Sequence, residues 1–359
     1  MKELTDRLPD WQFDLVCARI NRGLSDTEQL GNVRIHRCGI GHPIDKYLLP
    51  ILGVWRALQI TGKDRTIIWS LMASYNGFAA LVYTWIRPKT PFLLTLQEGD
   101  PLEHYAKRTG VLTFLHKQIF RRANTIQAIS YFLAAWAERM GATSKPVVVP
   151  NGVDIARFSP RLDSAERQRL RTQLGYQESD VIIITTSRLT LKNAVDDLIK
   201  SLISLPANYK VLIAGEGADR TSLDALVEAN TLQKRVTFLG TRSQQELPQL
   251  LQCADVFCRP SLSEGLGISF LEALASGLPI IATPVGGIPD FLRDGETGVF
   301  CQPRDPTSIA KAVLRIQQEP GLRQKLIRQG EELVKKDYAW EGIAARIGEL
   351  LMKVESKHV

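Results

Sequence analysis

The chain has 359 residues, 44% of them hydrophobic, and carries 45 Lys+Arg against 38 Asp+Glu for a formal net charge of +7. This is a soluble globular composition, with apolar surface enough for two domains of ordinary size. Cys17, Cys38, Cys253, Cys258 and Cys301 are odd in number, scattered and without a C-x-x-C pair, which argues against a disulfide framework and predicts reduced, buried side chains. No charged stretch followed by an apolar one opens the chain, so no secretory signal is visible and a cytoplasmic location is expected.

The charge is uneven. Residues 1–160 hold 20 Lys+Arg against 13 Asp+Glu, and the remainder holds 25 of each. Such a surplus attracts nucleic acid or an anionic membrane. No helix-turn-helix, zinc-finger or aromatic-basic pattern accompanies it, so nucleic acid is not an expected partner.

In chain order, Leu48 to Ile60, after Pro43, reads as a buried helix. Thr66 to Ile86 carries no charge and is long enough to suggest a membrane span, but Ser74, Tyr75, Asn76 and Gly77 break it into a buried strand, a turn and a helix. Pro91 to Leu96 is the next strand and ends in Gln97-Glu98-Gly99-Asp100. His104 to Asn124 combines Lys107, Arg108, Lys117, Arg121 and Arg122 with Val111, Leu112, Phe114, Leu115, Ile119 and Phe120. That helix-compatible pattern suits either an ordinary helix lying on a sheet or a face adsorbed to anionic headgroups at the inner side of a membrane. Strands over Thr125 to Ile129 and Pro146 to Val149 complete a doubly wound first domain, residues 1–157.

Asn151-Gly152 marks a turn, and the polar Arg157 to Arg171 stretch reads as a linker entering a helix. A second alternation, residues 158–339, has strands expected at Val181–Thr186, Lys210–Ala214, Arg235–Leu239, Val256–Arg259, Pro279–Ala282 and Gly298–Cys301. Two parallel sheets of this kind, one per domain, leave a cleft between their carboxyl edges. Arg188 and Lys192 follow the first of these strands, where a guanidinium can grip a diphosphate in bidentate fashion and an ammonium adds a point charge.

The most informative stretch is Arg259 to Phe300. An apolar run meets a Gly-rich turn at Ser263 to Gly267, a helix follows from Ile268 to Ser276, and Gly277 precedes the run LPIIAT. In a parallel sheet a loop leaving a strand's carboxyl end, followed by a helix N-terminus, collects anions. Glu264 stands in the turn and Glu272 about one turn into the helix, at the end where acids are favoured. Gly265 and Gly267 permit close approach of backbone to ligand. Gly286, Gly287, Gly295 and Gly298 read as turn formers, and the AGEG turn at Ala214 to Gly217 lacks the G-x-G-x-x-G fingerprint. There is no D-x-D or H-E-x-x-H, and His36, His42, His104, His116 and His358 have no ligand spacing, so neither a metal nor another cofactor is indicated.

The segment E-GLGISFL-E, with its two glutamates separated by seven residues, resembles glycosyltransferase family 4. The SEG turn, the EALASGLPIIAT continuation, and the VGGIPD and DGETG turns follow in the family's order. Upstream, ITTSRLTLKNAVDDLI, AGEG and VVVPNGVDIARFSP extend the resemblance over most of the chain from Thr66 onward. It implies the GT-B architecture: two Rossmann-like domains facing a cleft, with a final helix, Trp340 to Lys353, within residues 340–359, crossing back to the first. It also implies that Arg188 and Lys192 hold a donor diphosphate, that Glu264 faces the donor sugar and reaction centre beside Gly265 and Leu266, that the Leu266, Gly267 and Ile268 backbone meets sugar and phosphate, and that Glu272 binds ribose. Two departures bear on the acceptor side. The opening KELTDRLPDWQFDLVCAR resembles the family's first helix and second strand, so the first strand and its Gly-rich loop are not seen, and Gln97 stands where the family has a histidine.

The expected function is a retaining glycosyltransferase that moves a sugar from a nucleotide-diphosphate sugar to a glycan or lipid-linked acceptor, in the manner of cell-envelope polysaccharide synthesis. A nucleotide-sugar-binding protein without turnover, or a sugar-nucleotide epimerase on the same architecture, are the alternatives. An epimerase needs no acceptor, and a binder gives no turnover.

Overall fold

The computed structural model describes residues 2–62, 66–102, 110 and 113–356. The chain divides into two compact units: Met1–Asn151 with Trp340–Val359, and Gly152–Ala339.

Among the described residues the first unit has seven strands: β1 (Phe13–Ala18), β2 (Thr27–Leu30), β3 (Val33–Cys38), β4 (Ile68–Leu71), β5 (Phe92–Leu96), β6 (Thr125–Ala128) and β7 (Val147–Val148). They form two sheets, β1-β3-β2 and β4-β5-β6-β7. All neighbours run parallel except β2, which is antiparallel to β3. β5 is fully buried and reads FLLTL, the near-continuous apolar run that a parallel strand covered on both faces requires. The uncharged stretch resolves into β4 and a helix at Tyr75–Ile86, broken at Met72, whose φ of 69° ends the strand. No helix among the described residues is long and apolar enough to cross a membrane.

Two expectations need correction, and a third falls partly outside the described residues. The helix read over Leu48 to Ile60 runs Asp45–Ile60 and is not wholly buried: Leu49, Gly53 and Val54 pack inward, but Tyr47, Ile51 and Trp55 are 58%, 70% and 62% exposed. Its apolar composition suggested burial, yet only one side of the helix meets protein. Cys17 and Cys38 are only partly covered, while Cys253, Cys258 and Cys301 are buried, and burial pushes the Cys253 thiol up to about 12. In the basic segment, Lys107, Arg108, Val111 and Leu112 lie outside the described residues. Its described part, the Thr113–Arg122 helix, turns Ile119 and Phe120 into the core, leaves Phe114 64% exposed, and directs Arg122 Nη2 to the Pro88 carbonyl at 2.6 Å. Those two apolar side chains are therefore committed to the sheet.

The C-terminal helix, Trp340–Ser356, belongs to the first unit. Its buried residues Ile343, Ala344, Ile347, Leu350 and Leu351 form one helical stripe against Leu4, Leu8, Leu93 and Val149. Arg346 Nη2 donates to the Val148 carbonyl at 2.6 Å.

The second unit is a six-stranded, all-parallel sheet of order β10-β9-β8-β11-β12-β13. β8 (Val181–Thr186) and β11 (Val256–Arg259) have the bounds the sequence predicts. β9 (Tyr209–Ala214), β10 (Val236–Gly240), β12 (Ile280–Ala282) and β13 (Val299–Phe300) shift by a residue at one or both ends. The stretch read as a linker is integral to this unit. Asp163 and Glu166 form a reciprocal capping box at the start of the Ser164–Gln173 helix. From that helix, Arg171 reaches Asp255 at 3.2 Å and is only 3% exposed. The division accordingly falls after Asn151 rather than after residue 157, because Val153 bridges Ala339 and Phe158 is buried.

Candidate functional site

The site is built from loops at the carboxyl edge of β8, β9, β11 and β12. After β8, Ser187 N donates to Ala214 O at 3.1 Å and Leu189 N to Glu216 O at 3.0 Å, so the AGEG turn is the backbone partner that shapes the Arg188 loop. Asn193 Nδ2 holds the Arg188 carbonyl at 2.6 Å while the Arg188 side chain stays exposed. Lys192 sits in a short 3₁₀ turn, Leu191–Asn193, and its carbonyl accepts the Leu262 amide at 2.7 Å. That bond ties the basic loop to the loop after β11.

In the β11 loop Glu264 is fixed by Arg259, the last residue of β11. Arg259 Nη2 donates to Glu264 Oε2, Nη1 to Ser269 Oγ at 2.7 Å and Nε to Ser261 Oγ at 3.1 Å, and the guanidinium lies 4.5 Å from the Phe270 ring centroid. The other carboxylate oxygen accepts the Gly265 amide at 3.1 Å. This pair is nearly enclosed, with side-chain exposures of 8% for Arg259 and 14% for Glu264. Burying a carboxylate is tolerable only with such compensation.

Two glycines are required here. Gly267 has φ 92°, and a Cβ on it would stand 2.5 Å from the Phe270 ring. Gly286 has φ 58°, and a Cβ would stand 1.8 Å from the Glu264 carbonyl, which also accepts the Gly287 amide at 3.1 Å. The GG turn thus supports the Glu264 loop. Gly265, Leu266 and Gly267 are buried, and Ile268, 40% exposed, opens the Ile268–Ala275 helix with no side-chain cap on its first amides.

Glu272 is not at the acidic end of that helix, as the sequence suggested, but in the second turn of an eight-residue element, and it is only 7% exposed. Burial pushes its carboxyl up; the Gln244 side chain and the charges of Arg259 and Arg157 pull it back.

Sequence reading missed several residues of the site. Arg259 reads as the end of a strand, Gln244 as loop and Arg157 as linker. Thr185, Thr186 and Ser187, at the mouth of β8, place buried hydroxyls without a partner among the described residues, immediately before Arg188. Consecutive hydroxyls at a strand's carboxyl end were the available signal. Among the described residues no group of three His, Cys, Asp or Glu side chains is arranged to hold a metal ion.

In the first unit, Gln97 Oε1 accepts from Asn151 Nδ2 at 3.5 Å. Its neighbour Glu98 is 1% exposed; Oε1 accepts the Ala73 amide at 2.7 Å and Oε2 has no partner among the described residues. Burial raises this carboxyl to about 7 against the opposing pull of backbone amides.

Residues 166–333 match the family model described as Glycosyl transferases group 1, and residues 2–152 match that of the Glycosyl transferase 4-like domain. The alpha-monoglucosyldiacylglycerol synthase of Acholeplasma laidlawii is 27% identical over 306 residues, 84% of this chain and 73% of that protein. Other curated relatives match over about half of their length, 52% and 55% for two that are 31% and 30% identical. Among solved structures, the sucrose-phosphate synthase of Thermosynechococcus elongatus superimposes with a TM-score of 0.84 at 23% identity, covering 99% of this chain and 92% of that one. HepE of Anabaena, solved in complex with UDP-glucose, gives 0.76 at 18% identity over 90% of this chain and 86% of that one. With both family models matched and two Rossmann-like α/β units of the GT-B kind, the chain belongs to the group 1, family 4-type glycosyltransferases.

Proposed function

We propose that the chain is a retaining glycosyltransferase whose second unit binds a nucleotide-diphosphate sugar and whose acceptor is a glycan or a lipid-linked sugar. The observation that carries this reading is the linkage of the Arg188–Lys192 loop to the Glu264 loop through the Leu262 amide, which brings two cations and a fixed carboxylate to one sheet edge. Arg188 and Lys192 hold the diphosphate, with the Gly267 and Ile268 backbone and the β8 hydroxyls beside it. They stabilise the charge that develops as the sugar leaves, without a metal. Glu264 faces the sugar together with the Gly265 and Leu266 backbone, and Glu272 accepts the ribose hydroxyls. UDP-glucose in HepE and the diacylglycerol-linked product named for the Acholeplasma relative make a uridine donor and a lipid acceptor the first pair to try.

Arg188→Ala weakens binding of the nucleoside diphosphate by about 1.5–3 kcal/mol, the scale of a charge-assisted hydrogen bond. Calorimetry giving an unchanged Kd removes this residue from the site. The two glutamates separate by kinetics: Glu272→Ala mainly raises the donor Kd, whereas Glu264→Gln leaves Kd near the parent value and lowers kcat. Equal loss of one parameter in both variants refutes the assignment.

A peripheral membrane contact is part of the same reading, carried by the Asp45–Ile60 helix rather than by the basic segment. Tyr47, Ile51 and Trp55 form an exposed row at helical spacing, with Lys46 5.0 Å from the Tyr47 ring, in the unit that holds the basic surplus. Co-sedimentation with anionic liposomes at low salt is expected, and Ile51→Asp is expected to abolish it. Equal binding of the variant and the parent contradicts the placement.

A further inference from the structure

At the end of the second unit's sheet opposite the donor loops, one carboxylate faces three arginines. Asp255 stands immediately before β11. Its amide donates to the Ile182 carbonyl at 2.8 Å and its Oδ2 accepts the Ile182 amide at 2.8 Å, which places it at the amino end of both β8 and β11. Arg167 and Arg171 are four residues apart on the Ser164–Gln173 helix and so share one face of it. Arg167 Nη2 lies 2.8 Å from Asp255 Oδ1 and Arg171 Nη1 3.2 Å from Oδ2. Arg323, from the Leu322–Asp337 helix, brings its Nη2 to 3.7 Å from the same Oδ1.

The first two cations also serve the backbone. Arg167 donates Nε to Gln252 O at 2.9 Å and Nη2 to Ala254 O at 3.1 Å, and Arg171 donates Nη1 to Cys253 O at 3.2 Å. These carbonyls close the Leu247–Cys253 helix, the end at which cations are favoured. Arg323 has no such place. Among the described residues it makes no hydrogen bond, only the longer contact with Asp255. Acids near it in sequence are committed elsewhere, Glu319 to Arg315 at 3.1 Å and Glu331 to Arg161. Burial and the charges of Arg167 and Arg171 hold the Arg323 guanidinium below its ordinary value, against the pull of Asp255. Arg323 also stands in the first turn of its helix, where Gly321 offers no side-chain cap and the positive end of the helix dipole adds to the field. Side-chain exposures of 35% for Arg167 and 30% for Arg323 leave a way in from solvent, whereas Arg171 is enclosed and its Nε is buried without a partner among the described residues.

Three guanidinium groups against one carboxylate leave a local surplus of positive charge equal to two arginines. Arg167 and Arg323 each point an Nη2 at the same oxygen, so one tetrahedral group can bridge them in the forked manner that guanidinium favours. We propose that Arg167 and Arg323, backed by Arg171, form a second anion site, separate from the donor loops, that takes the phosphate group of a small phosphate monoester or of free phosphate. A phosphate monoester carries about −1.5 to −2 near neutral pH, which offsets the surplus, whereas a single carboxylate leaves half of it. An occupant there ties the Ser164–Gln173 helix to the Leu322–Asp337 helix beneath β8 and β11, and so stabilises the unit. This inference is independent of the donor reading.

Thermal unfolding and calorimetry of the purified chain test this, with inorganic phosphate and glycerol 3-phosphate as probes and sodium chloride at equal ionic strength as the control. The parent is compared with Arg323→Gln, with Arg323→Lys, and with a double variant, Arg188→Ala and Lys192→Ala, that removes the cations of the donor loops. Either probe at about ten times its Kd is expected to raise the Tm of the parent by at least about 2 °C over the chloride control. The rise persists in the donor-loop double variant and is absent in Arg323→Gln, whose Kd for the probe is weaker by at least roughly tenfold, the loss of one charge-assisted bond. Arg323→Lys, which keeps the charge without the fork, falls between. In phosphate-free buffer Arg323→Gln is expected to melt no lower than the parent, because it removes a like charge and no hydrogen bond, and its affinity for UDP is unchanged. Tighter binding of glycerol 3-phosphate than of inorganic phosphate supports a phosphorylated metabolite as the occupant, and equal binding supports free phosphate. No rise over the chloride control overturns the proposal. So does a rise that survives in Arg323→Gln, a rise lost only in the donor-loop double variant, or a lower Tm of Arg323→Gln without phosphate.

Discussion

Arg259→Met will destabilise the second unit by about 3–5 kcal/mol, the usual cost of removing one partner from a buried ion pair. The methionine keeps the apolar contact with Phe270 but leaves Glu264 enclosed without its cation, and Ser261 and Ser269 lose their donor. For a unit of this size each kcal/mol lowers Tm by roughly 2–4 °C, so calorimetry should show a drop of at least about 6 °C. Glu264→Gln serves as the control. Its amide oxygen still accepts from Arg259, so the hydrogen bond is kept although the enclosed guanidinium loses its counter-charge; a smaller drop than for Arg259→Met is expected, together with a lower kcat. A drop below about 2 °C for Arg259→Met would mean that the pair contributes little to the loop, and Glu264 would need another explanation for its position.

The second large effect lies in the first unit and depends on pH. Burial raises the Glu98 carboxyl from 4.5 to about 7, so the folded unit holds a proton that the unfolded chain has already released. For a group shifted in this direction the stabilisation is complete below pH 4.5 and is lost as pH rises toward 7. Above pH 7 the fold carries the full cost of an enclosed carboxylate, about 3 kcal/mol by the shift. Glu98→Gln keeps an acceptor for the Ala73 amide and has no proton to lose. It should match the parent near pH 4.5 and exceed it by up to about 3 kcal/mol at pH 8. His116 opposes this trend: it bonds the Ala73 carbonyl at 2.8 Å and its pKa is lowered by burial, so its stabilisation is lost as pH falls. The difference between variant and parent cancels that contribution. A difference that does not change with pH would show that Glu98 binds its proton equally in the folded and the unfolded chain.

The parts of the fold that sequence made legible are those with a single period and clear stops. β8 and β11 are continuous apolar runs ended by polar loops, and their bounds could be read directly. β2 and β3 were not legible, because TEQL is exposed at all four positions and VRIHRC carries three basic side chains. The two-residue Gly31-Asn32 connection between them was the available hairpin signal. Motif spacing and the family resemblance singled out Arg188, Lys192, Glu264 and Glu272 as candidates. It could not show that Arg259 fixes Glu264, that Glu272 is enclosed, or that Glu98 is buried, since each depends on elements distant in sequence. The apolar composition of Leu48 to Ile60 likewise could not reveal that Ile51 and Trp55 face outward.

The central claim is that the chain transfers a sugar from a nucleotide donor bound at the Arg188, Lys192 and Glu264 loops. The purified chain, incubated in EDTA with UDP- and GDP-sugars, with and without glycan or lipid acceptors, tests it by release of nucleoside diphosphate and by the anomeric configuration of the product. The account predicts release that depends on the acceptor, a product that retains the donor's configuration, and loss of release in Glu264→Gln. Binding without release for every donor and acceptor, conversion of the donor with no acceptor present, or full activity in Glu264→Gln would contradict it.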